Sequence, residues 1–282
     1  GAGFVGSHIA DCILKEKVSE VILLDNFVRG SRDNIKEAMK SSRVRLIEGD
    51  ILDRDLLERL FEGVDYCFHM AALRITQCAE KPREAKDVML NGTYNVAEAC
   101  ISNEVKKTIL ASSASIYGQA SSFPTSEEHP PYNNYTFYGA AKMANELMFR
   151  SFYEMYGFQY NALRFFNIYG PRMDTYGKYT EVLIKWYRLI KEGKRPVLFG
   201  DGGQTMDFVY IEDIAQANIL AMKTDAVDEV YNVGSEIETS LKELCHALLE
   251  VMKADIEPEY ILIPSDRKKV EVRRRLADTK KI

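Results

Sequence analysis

The stretch "YGAAK" sets Tyr138 and Lys142 four residues apart, a spacing that on a helix puts both side chains over one reaction centre. A phenol ordinarily holds its proton to about pH 10, too high for a base at neutral pH. A neighbouring ammonium favours the phenolate and lowers that value. Upstream, "LASSASIYG" runs from an apolar strand into hydroxyls, with Ser113 placed 25 residues before Tyr138. Such hydroxyls would stand at the carboxyl edge of a parallel sheet, where open α/β folds bind ligands.

A second group opens the chain. Gly1, Gly3 and Gly6 in "GAGFVGSHIA" satisfy G-x-G-x-x-G, in which glycines allow a tight bend, close approach of backbone N–H groups to a pyrophosphate, and close helix packing. "VILLDN" then ends an apolar run on Asp25, at the distance where a carboxylate binds the adenosine ribose hydroxyls and repels a 2′-phosphate. Together they point to NAD rather than NADP.

These residues need a scaffold that brings strand ends together. β-rich runs at 20–25, 44–50, 65–71, 107–112 and 160–166 alternate with amphipathic stretches at 5–16, 53–61, 85–102 and 138–156, as in βαβ units. The near-continuous apolar character of the strands suits a sheet covered on both faces. The fold class is therefore α/β, a Rossmann-type doubly wound parallel sheet in residues 1–167. Residues 168–282, turn-rich around "FGDGGQTMDF" and with a late helix near 240–253, are expected to form mainly a smaller substrate-binding lobe, with the chain able to cross between the two regions. Because the glycine turn of such a fold follows a strand, the first strand, and the chain beyond "ADTKKI", are expected to lie outside the given sequence.

Composition excludes several functions. The chain of 282 residues carries a net charge of −5 and no basic block, against the phosphate-neutralising surface a nucleic-acid partner needs. No apolar run reaches the roughly 20 residues of a membrane span. Five scattered cysteines without a C-x-x-C pair suit reduced thiols in the cytoplasm and no metal site.

The chain resembles the extended short-chain dehydrogenase/reductase family, in its nucleotide-sugar epimerase and dehydratase branch. The motifs that carry this are "GAGFVGSH", "LLDNFVRGS", "EGDILD", "HMAA", "NGTYNV", "SSASIYG", "YGAAK", "RFFNIYGPR", "FGDGGQTMDFVYIED" and "RRRLAD", in order along nearly the whole chain. The resemblance implies an NAD enzyme with Ser113, Tyr138 and Lys142 as its catalytic set: Tyr138 as acid or base at a sugar hydroxyl, Ser113 bonded to that hydroxyl, Lys142 on the nicotinamide ribose and lowering the Tyr138 pKa. It further implies cofactor contacts from Gly1, Gly3, Phe4, Val5, Gly6, Asp25, Asn26, Arg29, Gly30, Asp50, Ile51, Ala71, Ala72 and Phe165. Substrate contacts would come from Arg74, Ser113, Ser115, Tyr138, Asn167 and Phe199. His69 matches a buried strand-end residue with no chemical role.

The pair after Ser113 bears on the reaction. Family 4,6-dehydratases carry Asp–Glu there, an acid and a base for eliminating water; this chain has Ala114–Ser115. Family decarboxylases place Glu, and C3 or C5 epimerases Cys, where Ser115 stands. The pattern resembles the 4-epimerases, with a 4-dehydrogenase or 4-ketoreductase and a non-catalytic NAD-binding regulator as the alternatives. Two departures stand out: Met206 replaces the Arg that in the family binds the substrate diphosphate, with Arg267 or Lys268 as substitutes, and Met89 replaces a common Asn, with Asn91 nearby. Apolar surplus on helices 85–102 and 138–156, including Tyr94, Met143, Leu147 and Met148, matches the family's four-helix homodimer interface.

Overall fold

The computed structural model describes residues 1–175, 181–264 and 272–282. Helix α1 (Phe4–Ile13) leads into β1 (Val21–Asp25) and its parallel neighbour β2 (Val44–Glu48). Helix α2 (Arg54–Phe61) follows, started by Asp53, whose carboxylate accepts from the Leu56 amide at 3.0 Å, as an N-cap should. Then come β3 (Tyr66–His69), α3 (Ile75–Glu80), α4 (Pro82–Lys86), a π-helical segment (Asp87–Gly92) and α5 (Thr93–Ser102). The stretch expected as one helix over 85–102 is thus divided by that π segment, where Met89 is buried and its sulfur accepts from the Leu73 amide.

The central strands are β4 (Lys107–Ser113) and β5 (Tyr160–Phe165), joined by the long helix α6 (Phe137–Tyr156). Every residue of β4 and β5 is buried, because helices cover both faces of their sheet. On one face Leu110, Tyr160 and Ala162 meet Leu57, Val96 and Phe149; on the other Ile109, Ala111, Leu163 and Phe165 meet Ile211, Ile214 and Ala217. Alternation along each strand assigns neighbours to opposite faces. Thr136 caps α6 by accepting from Gly139 N, and Gly157 ends it at φ 69°, the left-handed conformation that favours glycine.

Beyond Asn167 the chain makes β6 (Asn167–Tyr169), α7 (Val182–Lys191), β7 (Val197–Phe199), β8 (Thr205–Tyr210) and α8 (Ile211–Lys223), then β9 (Glu229–Val233), β10 (Glu238–Ser240), α9 (Leu241–Val251) and β11 (Glu259–Ile261). The chain crosses back here: β9 pairs in parallel with β5, completing the order β3-β4-β5-β9, and α8 packs on α1 and the same sheet. The remainder builds small sheets β10-β8-β6 and β11-β7, with a core of Trp186, Ile190, Leu198, Cys245 and Leu249 between α7 and α9. All five cysteines are free thiols. Among the described residues no helix is long and apolar enough to cross a membrane.

Candidate active site

The carboxyl ends of the parallel strands face one cleft. At its entrance α1 begins directly after Gly3 with no side-chain cap and no acidic residue in its first turn, leaving backbone N–H groups and the positive helix end for an anion. A Cβ built on Gly3 meets nothing within 4 Å, whereas one on Gly6 would lie 2.7 Å from the Gly1 carbonyl oxygen. Gly3 thus keeps the approach open, and Gly6 lets the helix close on the turn. Phe4 and Val5 lie against the core face that includes Phe165.

Asp25 ends β1 with its carboxylate accepting from Ala2 N at 2.7 Å and Phe27 N at 2.8 Å. Gly30 packs so closely that a Cβ there would sit 2.5 Å from Asp25 Oδ1. Asn26 Nδ2 donates to Asp50 Oδ2 at 2.8 Å, and Asn95 Nδ2 to the Ile51 carbonyl at 3.1 Å. Asp25, Asn26, Gly30, Asp50 and Ile51 are therefore one neighbourhood. Ala71 and Ala72 follow β3 at the same sheet edge, Ala71 exposed. This anion-accepting helix end, the preformed carboxylate and the glycine-lined approach fit a dinucleotide.

Arg29 departs from this adenosine-side group. Its electrostatic neighbours are Arg74, Asp174, Glu181 and Tyr138, so its side chain serves the reaction-centre side of the cleft. Desolvation and then Arg74 lower its pKa. Arg74 itself makes ion pairs with Glu181 at 3.3 Å and Asp174 at 3.8 Å.

Deeper in the cleft, Ser113 lies beside Tyr138 and favours its ionised form. Ser113 Oγ accepts from Ser115 N at 3.1 Å, which fixes its orientation. Lys142 lies on the same face of α6, its Nζ 5.8 Å from the Tyr138 ring centroid and donating to the Ala111 carbonyl. Burial lowers the Lys142 pKa to about 8, against the opposing pull of Glu146 and Cys78.

One expectation is corrected. The Tyr138 pKa is raised, because burial outweighs the influence of Ser113 and the positive charges of Arg29 and Arg275. Lys142 is anchored to a main-chain oxygen of β4. Asn91 does not replace the polar group absent at Met89: it is exposed and bonded to Asp87. Asn145 stands nearest that role, donating to the Met89 carbonyl at 3.0 Å. His69 is buried against Thr93 Oγ1 at 2.9 Å, with its pKa lowered to about 3 by burial and then by Lys142; it stays neutral.

Glu146, one turn beyond Lys142, pairs with Arg164 of β5 at 2.7 Å, both side chains buried. Ser112 donates to the same carboxylate, and Arg164 Nη1 donates to Tyr117 Oη at 2.9 Å. This network clamps α6 to β4 and β5. On the opposite wall Asn167 has a buried Oδ1 without a partner among the described residues, and Phe199 lies half-buried in β7 beside β11. Arg267 and Lys268 lie outside the described residues.

Sequence reasoning missed Arg275, whose Nη1 lies 3.5 Å from Ser115 Oγ and whose charge acts on Tyr138. The run "RRRLAD" marks three arginines without saying which faces inward. It also missed the Glu146–Arg164 pair, although Glu146, four residues after Lys142, falls on the same buried helix face.

The family model for the NAD dependent epimerase/dehydratase family matches residues 1–234. The chain belongs to that family. A putative UDP-glucose 4-epimerase of Methanocaldococcus jannaschii is 34% identical over 100% of this chain and 88% of its own length. Among solved structures, the UDP-N-acetylglucosamine 4-epimerase of Methanobrevibacter ruminantium M1, in complex with UDP-N-acetylmuramic acid, superposes with TM-score 0.92 at 32% identity over 99% of this chain and 87% of that one. The UDP-glucose 4-epimerase of Thermotoga maritima with UDP-glucose gives TM-score 0.91 at 32% identity over 100% and 88%. The family name spans two reactions, so membership makes this chain an NAD-dependent enzyme of the extended short-chain dehydrogenase/reductase type and leaves its substrate to the site.

Proposed function

We propose that the protein is a nucleotide-sugar 4-epimerase acting on a UDP-sugar through a transient 4-keto sugar. The observation that carries this reading is that Tyr138 and Lys142 share one face of α6 beside Ser113 at the end of β4, followed by Ala114 and Ser115: one proton-transferring group for a sugar hydroxyl, and no carboxylate at the two positions after Ser113 to expel water. Gly1, Gly3, Phe4, Val5 and Gly6 would hold the NAD pyrophosphate, and Asp25, Asn26, Gly30, Asp50 and Ile51 its adenosine. Ala71, Ala72, Phe165 and Lys142 would line its nicotinamide half. NAD, when bound, supplies a reversible two-electron acceptor for the C4 position of the sugar.

The chain's own residues handle the proton. Ser113, oriented by the Ser115 amide, donates to the Tyr138 oxygen and stabilises the phenolate while Tyr138 Oη takes the O4 proton. Because burial raises the Tyr138 pKa, the phenol rests protonated, and added positive charge in the cleft is what makes it a base. On the return step Tyr138 gives the proton back, so no proton is consumed over a turnover. Asn167, Phe199 and Arg74 would bind the nucleotide-sugar, with residues 168–282 supplying most of that wall.

Purified protein incubated with UDP-glucose, UDP-N-acetylglucosamine and UDP-glucuronate, without added reductant, should yield a C4-inverted product from at least one. Net NADH formation without inversion would instead assign a 4-dehydrogenase. No reaction with any of them would refute the reading. Exposed Tyr94, Leu147 and Tyr156 on α5 and α6 support a homodimer through these helices, while Met143 packs inward against Ile116 and Phe166. A monomer in sedimentation at micromolar concentration would reject that. The free thiols suit a cytoplasmic enzyme.

A further inference from the structure

Three consecutive arginines, Arg273, Arg274 and Arg275, run beside β8 with different fates. Thr205 N donates to the Arg273 carbonyl at 2.9 Å and Arg275 N to the Thr205 carbonyl at 3.0 Å, so Thr205 and Arg274 are parallel partners. Their side chains share one face, where both bind Glu238: Thr205 Oγ1 at 2.6 Å, Arg274 Nε at 2.7 Å. Successive strand residues alternate faces. Met206 and Arg275 are consequently neighbours on the other face, the one that meets Ser115 and Tyr138.

Arg274 is neutralised by Glu238, and Arg273, exposed, lies 3.5 Å from Asp201. Arg275 has no such carboxylate among the described residues. Among the described residues the hydrogen bond from its guanidinium is a long one, 3.5 Å from Nη1 to Ser115 Oγ, and its buried Nε has no partner. A desolvated cation lacking a counter-ion is costly unless something anionic joins it. A guanidinium also presents a planar fork that matches phosphate or carboxylate oxygens.

We propose that Arg275 is the substrate-binding cation of this site, holding anionic oxygens of the nucleotide sugar from the strand face on which position 206 carries no charge. The proposal rests on the nucleotide-sugar reading above. The side chains of Met206 and Arg275 arise from adjacent strands, about 5 Å apart, a gap an Arg side chain spans. Burial lowers the Arg275 pKa to about 10 while Tyr138 opposes that shift, which keeps the group charged at neutral pH. The anion is either the diphosphate or a carboxylate carried by the sugar; both offer the same oxygens.

The test is calorimetric binding of UDP, UDP-glucose and UDP-glucuronate to the NAD-loaded protein and to Arg275→Met. If the diphosphate is held, all three should weaken alike, by roughly 10- to 100-fold for a lost charge-assisted contact, and adding Met206→Arg should restore much of the affinity. If a sugar carboxylate is held, UDP-glucuronate alone should weaken. Arg275→Lys, which keeps the charge without the fork, should lose less than Arg275→Met, and serves should the latter fold poorly. Unchanged binding of all three ligands in both variants would overturn the proposal. A wild-type protein that binds these ligands without inverting C4 refutes the epimerase alone; one that binds none of them overturns both.

Discussion

Replacing Lys142 by Met should make the cofactor-free protein more stable while abolishing its turnover. The ammonium of Lys142 is buried, and its pKa falls from 10.5 to about 8 because burial disfavours the charged form. A difference of 2.5 units at about 1.4 kcal/mol each costs the folded state about 3 kcal/mol at pH 7. The hydrogen bond from Nζ to the Ala111 carbonyl returns about 1 kcal/mol, so Met should gain about 2 kcal/mol net, or roughly 4–8 °C in Tm. The unfolded chain keeps its proton up to 10.5 whereas the folded chain gives it up near 8, so wild-type stability rises with pH between those values. At pH 9.5 the penalty has fallen by about 2 kcal/mol, and the advantage of Lys142→Met should vanish. Urea denaturation of both proteins at pH 7.0 and 9.5 without NAD measures this difference directly. A variant less stable than wild type at pH 7.0, or one whose advantage persists at pH 9.5, would refute the assignment of a desolvated, strained lysine. Activity should be lost in either case, because Lys142 is the ammonium that would hold the nicotinamide ribose beside Tyr138.

Glu146→Gln leaves Arg164 buried without its carboxylate, so it should cost about 3–5 kcal/mol in urea denaturation; Glu146→Leu with Arg164→Leu should be milder than that single change. Gly3→Ala should fold normally, since its Cβ meets open space, yet lose NAD affinity by titration, whereas Gly6→Ala should lower Tm because its Cβ would strike the Gly1 backbone at 2.7 Å. Tyr138→Phe should keep NAD binding and lower kcat by roughly 10²–10⁴-fold, the usual contribution of a positioned acid–base group.

The elements that position the site were legible because their signals are local. "KTILASS" carries an apolar run for both faces of a central strand, Thr136 and Gly157 punctuate α6, and Ser240 caps α9 through a reciprocal bond with Glu243. The π segment at Asp87–Gly92 was not legible, since helical periodicity barely changes over one widened turn. A crossing between the two regions is anticipated, but not that β9 makes it beside β5, because nothing in "EVYNV" names its partner strand.

The sequence by itself determined which residues can meet as local neighbours: the glycine turn that opens α1, the carboxylate that ends β1, and a Tyr and Lys one helical turn apart. Each follows from a spacing along the chain. Only the tertiary structure decided where charge acts. Lys142 is drawn to a main-chain oxygen, Glu146 is consumed by Arg164, and Arg275 faces Tyr138 from the far end of the chain. Electrostatic influence depends on through-space distance and desolvation, and both are set by strand register and packing rather than by sequence separation.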